Sequence, residues 1–185
     1  MEVVQSRLEG ALLLVPDVYR DERGLFTETY RRSSFAEIGV AEEMVQTNHS
    51  RSSRGVVRGM HFMAGPGISK LVRCVSGAIL DVVVDIRTGS PTFGQWQGFE
   101  LTGENLHQVY CPAGFAHGFC VTSEVADVTY AQSGYYDPKL DLSFAHDDPE
   151  VGIEWPSGLE LQVSPRDGDA PPLSALTGSL PAYGS

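Results

Sequence analysis

The sequence lacks the features of membrane, secreted and disordered proteins. Its apolar runs, such as residues 12–15 and 82–84, fall far short of the ~20 residues that a membrane span needs. The N-terminus shows no basic stretch followed by an apolar segment, so no secretory signal is expected. The cysteines are Cys74, Cys111 and Cys120. An odd number without CxxC spacing favours a reduced, cytoplasmic protein.

Positive charge is scarce in the second half of the chain. Residues 1–90 hold 11 basic and 11 acidic side chains, whereas residues 91–185 hold 2 and 13. This distribution argues against a basic nucleic-acid-binding face. An anionic small ligand would need the arginines of the first half gathered into one pocket.

The common cofactor and nucleophile motifs are absent as well. No His-x-His pair, no Gly-x-Gly-x-x-Gly and no phosphate-binding P-loop occurs, which argues against a transition metal or a dinucleotide. Residues 114–118 lack the serine of a nucleophile elbow. What remains is acid–base chemistry by His, Tyr, Lys and Asp.

What the sequence does contain is a series of short strand-like segments. Residues 77–87 alternate with a period of two, which is typical of a β-strand. Further strands are expected at residues 56–62, 70–75, 97–101, 107–111, 118–122 and 125–133. Many short strands and little helical periodicity predict an antiparallel sandwich or barrel, such as a jelly roll.

Only one helix is predicted within the strand-rich region, at residues 35–38. Ser34 and Glu37 have capping-box spacing, and Gly39 would end the helix. The chain is expected to form one domain over residues 1–173. Residues 174–185, rich in Pro, Ser, Gly, Leu and Ala, are expected to be a loosely ordered tail.

Two segments are rich in polar residues within this strand-like sequence: residues 46–50 followed by 58–62, and residues 112–119. Strict alternation would place Arg58 and His61 on opposite faces of one strand. If both serve one pocket, Gly59 must mark a bulge or a strand end.

These segments carry a resemblance to a known family. Residues 21–30, Asp-Glu-Arg-Gly-Leu-Phe-Thr-Glu-Thr-Tyr, resemble the D-x-RG-x-F-x-E-x-Y signature of the dTDP-4-dehydrorhamnose 3,5-epimerases. Further matching segments lie at residues 46–50, 55–61, 85–96, 114–119 and 153–156. The resemblance runs from about residue 10 to residue 173 and implies a cupin-type jelly-roll β-barrel. It also implies a homodimer that binds a dTDP-4-keto-6-deoxyhexose and needs no metal or cofactor.

The resemblance implies roles for particular residues. His61 matches the family's catalytic base, Asp167 the carboxylate that orients it, Tyr130 the acid on the opposite sugar face, and Lys70 the cation beside the C4 oxygen. Residues that match substrate-binding positions are Arg23, Phe26, Glu28, Gln46, Asn48, Arg58, His117, Tyr135 and Arg166. Of these, Phe26 and Glu28 are expected to reach the site of the partner chain.

Three departures from the usual family pattern leave the regiochemistry open. Met63 stands where many relatives have Gln, Ala131 where many have Lys, and residues 144–149 replace the usual Trp-Asn-Asp-Pro segment. The predicted activity is inversion of C5, C3 or both in dTDP-rhamnose or antibiotic deoxysugar biosynthesis. The alternatives are a 3,4-ketoisomerase and a catalytically silent sugar-nucleotide-binding barrel.

Overall fold

The protein, seen in a computed structural model that describes residues 1–184, is built from two facing antiparallel sheets. The first contains β1 (Glu2–Gln5), β2 (Leu12–Val15), β10 (Gln108–Cys111), β7 (Lys70–Ser76), β12 (Val125–Gln132) and β5 (Gln46–Ser53), in that spatial order. The second contains β13 (Asp141–Ser143), β6 (Val57–Met63), β11 (Phe115–Val121), β8 (Ala78–Asp85) and β9 (Trp96–Thr102). A separate hairpin joins β3 (Val18–Asp21) to β4 (Gly24–Thr27). The predicted all-β antiparallel jelly roll is confirmed.

The alternation of side chains along each strand creates the core. In β8, Ile79 and Val83 point between the sheets, whereas Val82 and Val84 pack on the outer face of the five-stranded sheet. Helix α1 (Arg32–Glu37) covers part of the outer face of the six-stranded sheet through Phe35. Each sheet is thus packed on its inner face and on part of its outer face, which supports the inward-pointing rows of side chains.

The predicted helix is present, but it begins earlier in the chain than predicted. Helix α1 begins at Arg32, three residues before the predicted start, and Ser34 lies inside it without capping it. The backbone turns at Gly39, whose φ is +91°. The end that glycine predicted is therefore confirmed, while the capping box is not formed.

The C-terminal segment differs from the loosely ordered tail that its composition predicts. A 3-10 helix spans Leu173–Ser179, with Leu173 buried. The backbone N–H of Thr88 donates to Pro181 O, and the N–H of Tyr183 donates to Thr88 O. Apolar packing and strand-like hydrogen bonds therefore hold this segment; residue 185 lies outside the described residues. Within residues 1–184, no helix is both long and apolar enough to cross a membrane.

Candidate active site

A cavity of about 620 Å³ opens between the two sheets. The inward-facing side chains of the strands form both the apolar core and the polar lining of the cavity. On β7, Val72 belongs to the core and Lys70 to the lining; on β12, Val128 belongs to the core and Tyr130 to the lining. Among the predicted site residues, nine line this cavity: Gln46, Asn48, Arg58, His61, Lys70, His117, Tyr130, Arg166 and Asp167.

A bulge in β6 brings Arg58 and His61 to the same cavity. Opposite them on β11, His117 pairs with His61 and Phe119 with Arg58, so β6 holds one residue more than its partner over this stretch. Gly59, with φ +141°, makes this possible, since a Cβ there would lie 2.6 Å from Gly118 Cα. Of the two alternatives expected at Gly59, a bulge and a strand end, the structure shows the bulge.

His61 forms a hydrogen-bonded pair with Asp167, 106 positions away in the chain. His61 Nε2 donates to Asp167 Oδ1 at 2.7 Å, and the carboxylate is only 4% exposed. Because a carboxylate only accepts, Nε2 carries the proton and Nδ1 is the basic nitrogen of the neutral ring. The pair therefore has the arrangement of an oriented general base.

The position and charge of Asp167 have clear local causes. Helix α2 (Pro165–Gly168), a single turn, holds it, and the hydroxyl of Ser164 accepts from the Asp167 N–H at 3.1 Å. Burial alone would raise the pKa of the Asp167 carboxyl. The hydrogen bond and charge of His61, with the Gly59 N–H, outweigh burial and lower that pKa below its usual value. Asp167 is therefore ionised at neutral pH.

Lys70 and Tyr130 belong to adjacent strands of the opposite sheet. The ammonium of Lys70 donates to the His61 carbonyl at 3.4 Å, and burial lowers its pKa. Burial also raises the pKa of Tyr130 above its ordinary value of 10.0. The phenol is therefore protonated at neutral pH and available as an acid.

A second histidine–carboxylate pair lies next to the first. His117 Nε2 donates to Asp81 Oδ2 at 2.7 Å, and both side chains are buried. A cavity-facing His117 thus has its tautomer fixed by a carboxylate, as His61 has.

Two arginines also line the cavity, Arg58 on β6 and Arg166 on helix α2. Arg58 Nε donates to the Ser52 hydroxyl at 3.0 Å. Arg166 forms an ion pair with Asp141, with 2.8 Å between Nη1 and Oδ2. Guanidinium groups held in this way are suited to bind phosphate oxygens.

Four of the predicted residues lie outside this cavity of their own chain. Arg23 and Phe26 belong to the β3–β4 hairpin and Glu28 follows it; Arg23 pairs with Asp21, and Glu28 with Arg31. Tyr135 is 76% exposed and does not line the cavity.

Sequence reasoning missed five polar lining residues: Gln132, Tyr136, Asp141, Gln162 and Ser164. A signal existed for Gln132, which stands two residues after Tyr130 on a predicted strand and so shares its face. Its Oε1 accepts from Asn48 Nδ2 at 3.1 Å. Tyr136 lies in the loop after this strand and Asp141 is the first residue of the three-residue strand β13, so no periodic pattern applies to either.

The positions that depart from the family pattern do not line the cavity. Met63 lines a second cavity with Arg87 and Tyr183. Ala131 packs on the outer face of the six-stranded sheet, and Phe144 is fully buried on the outer face of the other sheet. Within residues 1–184, no three His, Cys, Asp or Glu side chains converge as metal ligands.

Comparisons with known proteins agree with this geometry. The family model described as dTDP-4-dehydrorhamnose 3,5-epimerase matches residues 5–175. The dTDP-4-dehydrorhamnose 3,5-epimerase of Salmonella typhimurium is 45% identical over 94% of this chain and 96% of its own. The dTDP-4-dehydrorhamnose 3-epimerase of Streptomyces niveus is also 45% identical, over 95% of this chain and 86% of its own.

A solved structure is similar over the whole chain. The dTDP-6-deoxy-D-glucose-3,5-epimerase of Legionella pneumophila, in complex with dTDP-4-keto-L-rhamnose, superposes with a TM-score of 0.97 at 41% identity. The match covers 100% of this chain and 99% of that one. The predicted family is confirmed: this chain belongs to the dTDP-4-dehydrorhamnose 3,5-epimerases.

Proposed function

We propose that the chain inverts C5, C3 or both in a dTDP-4-keto-6-deoxyhexose by removing and returning a proton next to the ketone. The observation that carries the proposal is the His61–Asp167 pair, at 2.7 Å, in one cavity with Lys70 and Tyr130. Epimerisation beside a ketone needs a base, a group that stabilises the enolate oxygen, and an acid on the opposite face.

In the proposed reaction, His61 Nδ1 accepts the proton from the carbon next to the carbonyl. The C–H electron pair forms the C=C bond of an enolate, and the carbonyl electron pair moves onto the C4 oxygen. Lys70 stabilises that oxygen; by analogy with oxyanion-hole donors, this contact contributes ~10²-fold or more in rate. Tyr130 then delivers a proton to the other face of the carbon, which inverts it.

Asp167 stabilises the imidazolium that His61 becomes. Its lowered pKa means that this support is present at neutral pH and is lost as the pH falls through that pKa. Burial lowers the pKa of Lys70, so deprotonation of its ammonium would weaken enolate stabilisation as the pH rises through that pKa.

Arg58, Arg166 and His117 bind the diphosphate in this proposal, and the exposed Tyr136 offers a ring for the nucleotide base. The β3–β4 hairpin of a second copy would bring Arg23 and Phe26 over the cavity. Support comes from their exposure: Phe26 is 69% exposed in the single chain and packs against Tyr19, which is 65% exposed. Such apolar exposure on a small hairpin is typical of a surface that another chain covers.

The regiochemistry is tested by solvent deuterium. Relatives named as 3,5-epimerase and as 3-epimerase are equally similar to this chain, at 45% identity. The protein is incubated with dTDP-4-keto-6-deoxyglucose in D₂O, and NMR locates the label. Label at C3 and C5 identifies a double epimerase, and label at one carbon a mono-epimerase. Migration of the keto group to C3 would identify a ketoisomerase, and binding without label a silent barrel; either would refute the proposal.

A further inference from the structure

Asp141 is a cavity carboxylate that the reaction proposed above does not use. It is the first residue of β13, where it pairs with Met63, and its side chain is 14% exposed. Two of the residues that line the cavity carry a carboxylate, Asp141 and Asp167. Since Asp167 is bound to His61, Asp141 is the one whose purpose is unexplained.

Asp141 holds Arg166 through two different acceptors. Its Oδ2 lies 2.8 Å from Arg166 Nη1, and its backbone carbonyl accepts from Arg166 Nη2 at 2.9 Å. Two acceptors on two nitrogens of a planar group fix both the position and the plane of the guanidinium. The side chain of Arg166 is 48% exposed, so without this pair it would sample several rotamers.

The pair leaves most of the arginine's binding capacity intact. A guanidinium has five N–H donors, and Asp141 takes two of them. The remaining N–H groups keep a fixed direction and can donate to an anionic ligand without a further loss of side-chain entropy.

We infer that Asp141 is a positioning residue that aims Arg166 at the diphosphate of the sugar nucleotide. This inference rests on the proposed function, because it takes the ligand to be a nucleoside diphosphate. It predicts that Asp141 contributes to binding through Arg166 and through no other group.

A double-mutant cycle with dTDP as the probe tests this. Calorimetry measures Kd for the wild type, Asp141→Ala, Arg166→Ala and the double variant. Each single variant is expected to raise Kd about tenfold, and the double variant no further than Arg166→Ala alone. In turnover, Asp141→Ala should raise KM about tenfold while kcat falls less than threefold, as expected for a group that acts on binding. Asp141→Asn, which keeps both acceptor oxygens but loses the charge, should lie in between and serves as the test if the alanine variant does not fold.

Asp147→Ala is the control, because Asp147 is a 77% exposed carboxylate close in sequence and outside the cavity lining. Its Kd should equal that of the wild type. Additive effects in the double variant would overturn the inference, and so would tighter dTDP binding by Asp141→Ala, which would mean that the carboxylate only repels phosphate. A fall in kcat without a change in Kd would show that Asp141 acts on Lys70 or Tyr130 instead. Failure of the wild type to bind dTDP would refute the proposed substrate class itself, which separates the two failures.

Discussion

The cavity and the β3–β4 hairpin carry different parts of the proposed site. The cavity side chains extend mainly from strands of the two facing sheets, and many have partners, such as Asp167 for His61 and Asp81 for His117. The hairpin forms its own two-stranded sheet, and Phe26 at its surface is 69% exposed. The proposed acid–base chemistry, which needs fixed geometry, thus draws on one chain, whereas the proposed contribution of the hairpin requires a second copy.

The largest effect is expected from Asp167→Asn. An amide can donate to His61 as well as accept, so the ring can take the wrong tautomer and the imidazolium loses its counter-charge; a loss of ~10³-fold or more in kcat is expected. Steady-state turnover measures it. Asp127→Asn is the matched control, since Asp127 accepts from His49 at 2.8 Å in an exposed pair outside the cavity lining. Equal losses in the two variants would mean that the effect is one of folding.

Tyr130→Phe should reduce net inversion at C5 by about 10²-fold and proton abstraction by less, because the phenol acts only after the enolate has formed. Product NMR measures inversion, and wash-in of deuterium measures abstraction. Tyr183→Phe, in the C-terminal segment, should leave both rates unchanged. If the two rates fall equally in Tyr130→Phe, tyrosine is not the acid on the opposite face.

Arg58→Ala should raise KM about tenfold or more through the loss of a charged contact to the diphosphate. The control is Arg54→Ala, since Arg54 pairs with Glu124 outside the cavity lining. An unchanged KM for Arg58→Ala would remove this residue from the diphosphate site.

Mixing two inactive or impaired chains tests whether the hairpin acts on a second copy. His61→Ala removes the base. Phe26→Ala is expected to reduce kcat/KM about tenfold, measured as the reaction rate at low substrate concentration. If the hairpin serves the partner's cavity, each mixed dimer regains one intact site, and equal mixing restores about a quarter of wild-type activity. Activity no higher than the average of the separate chains would show that the hairpin serves its own cavity or none.

Much of the fold was accessible from the sequence because its strands are amphipathic. The alternation of residues 77–87 correctly predicted β8, which spans Ala78–Asp85. Strand β5, Gln46–Ser53, was missed because it has no apolar face: one face lines a polar cavity and the other faces solvent. The bulge at Gly59 was predictable because two functional side chains on one strand had to share a pocket.

The cavity-lining residues were harder to predict from the sequence where loops and tertiary contacts determine their positions. Tyr135 and Tyr136 are neighbours in a loop, and no period indicates that Tyr136 faces the cavity while Tyr135 faces solvent. Asp141 gains its partner from Arg166, 25 positions away. Such contacts depend on how the chain returns to the sheet, which a local pattern does not encode.

The central claim, that His61 removes the carbon-bound proton, is tested most directly by deuterium exchange with the His61→Ala variant in D₂O. The account predicts no label at C3 or C5 above the uncatalysed level, while His49→Ala, which removes the His49–Asp127 pair outside the cavity lining, exchanges at the wild-type rate. Substantial label in the substrate with His61→Ala would contradict it and would place the base elsewhere in the cavity.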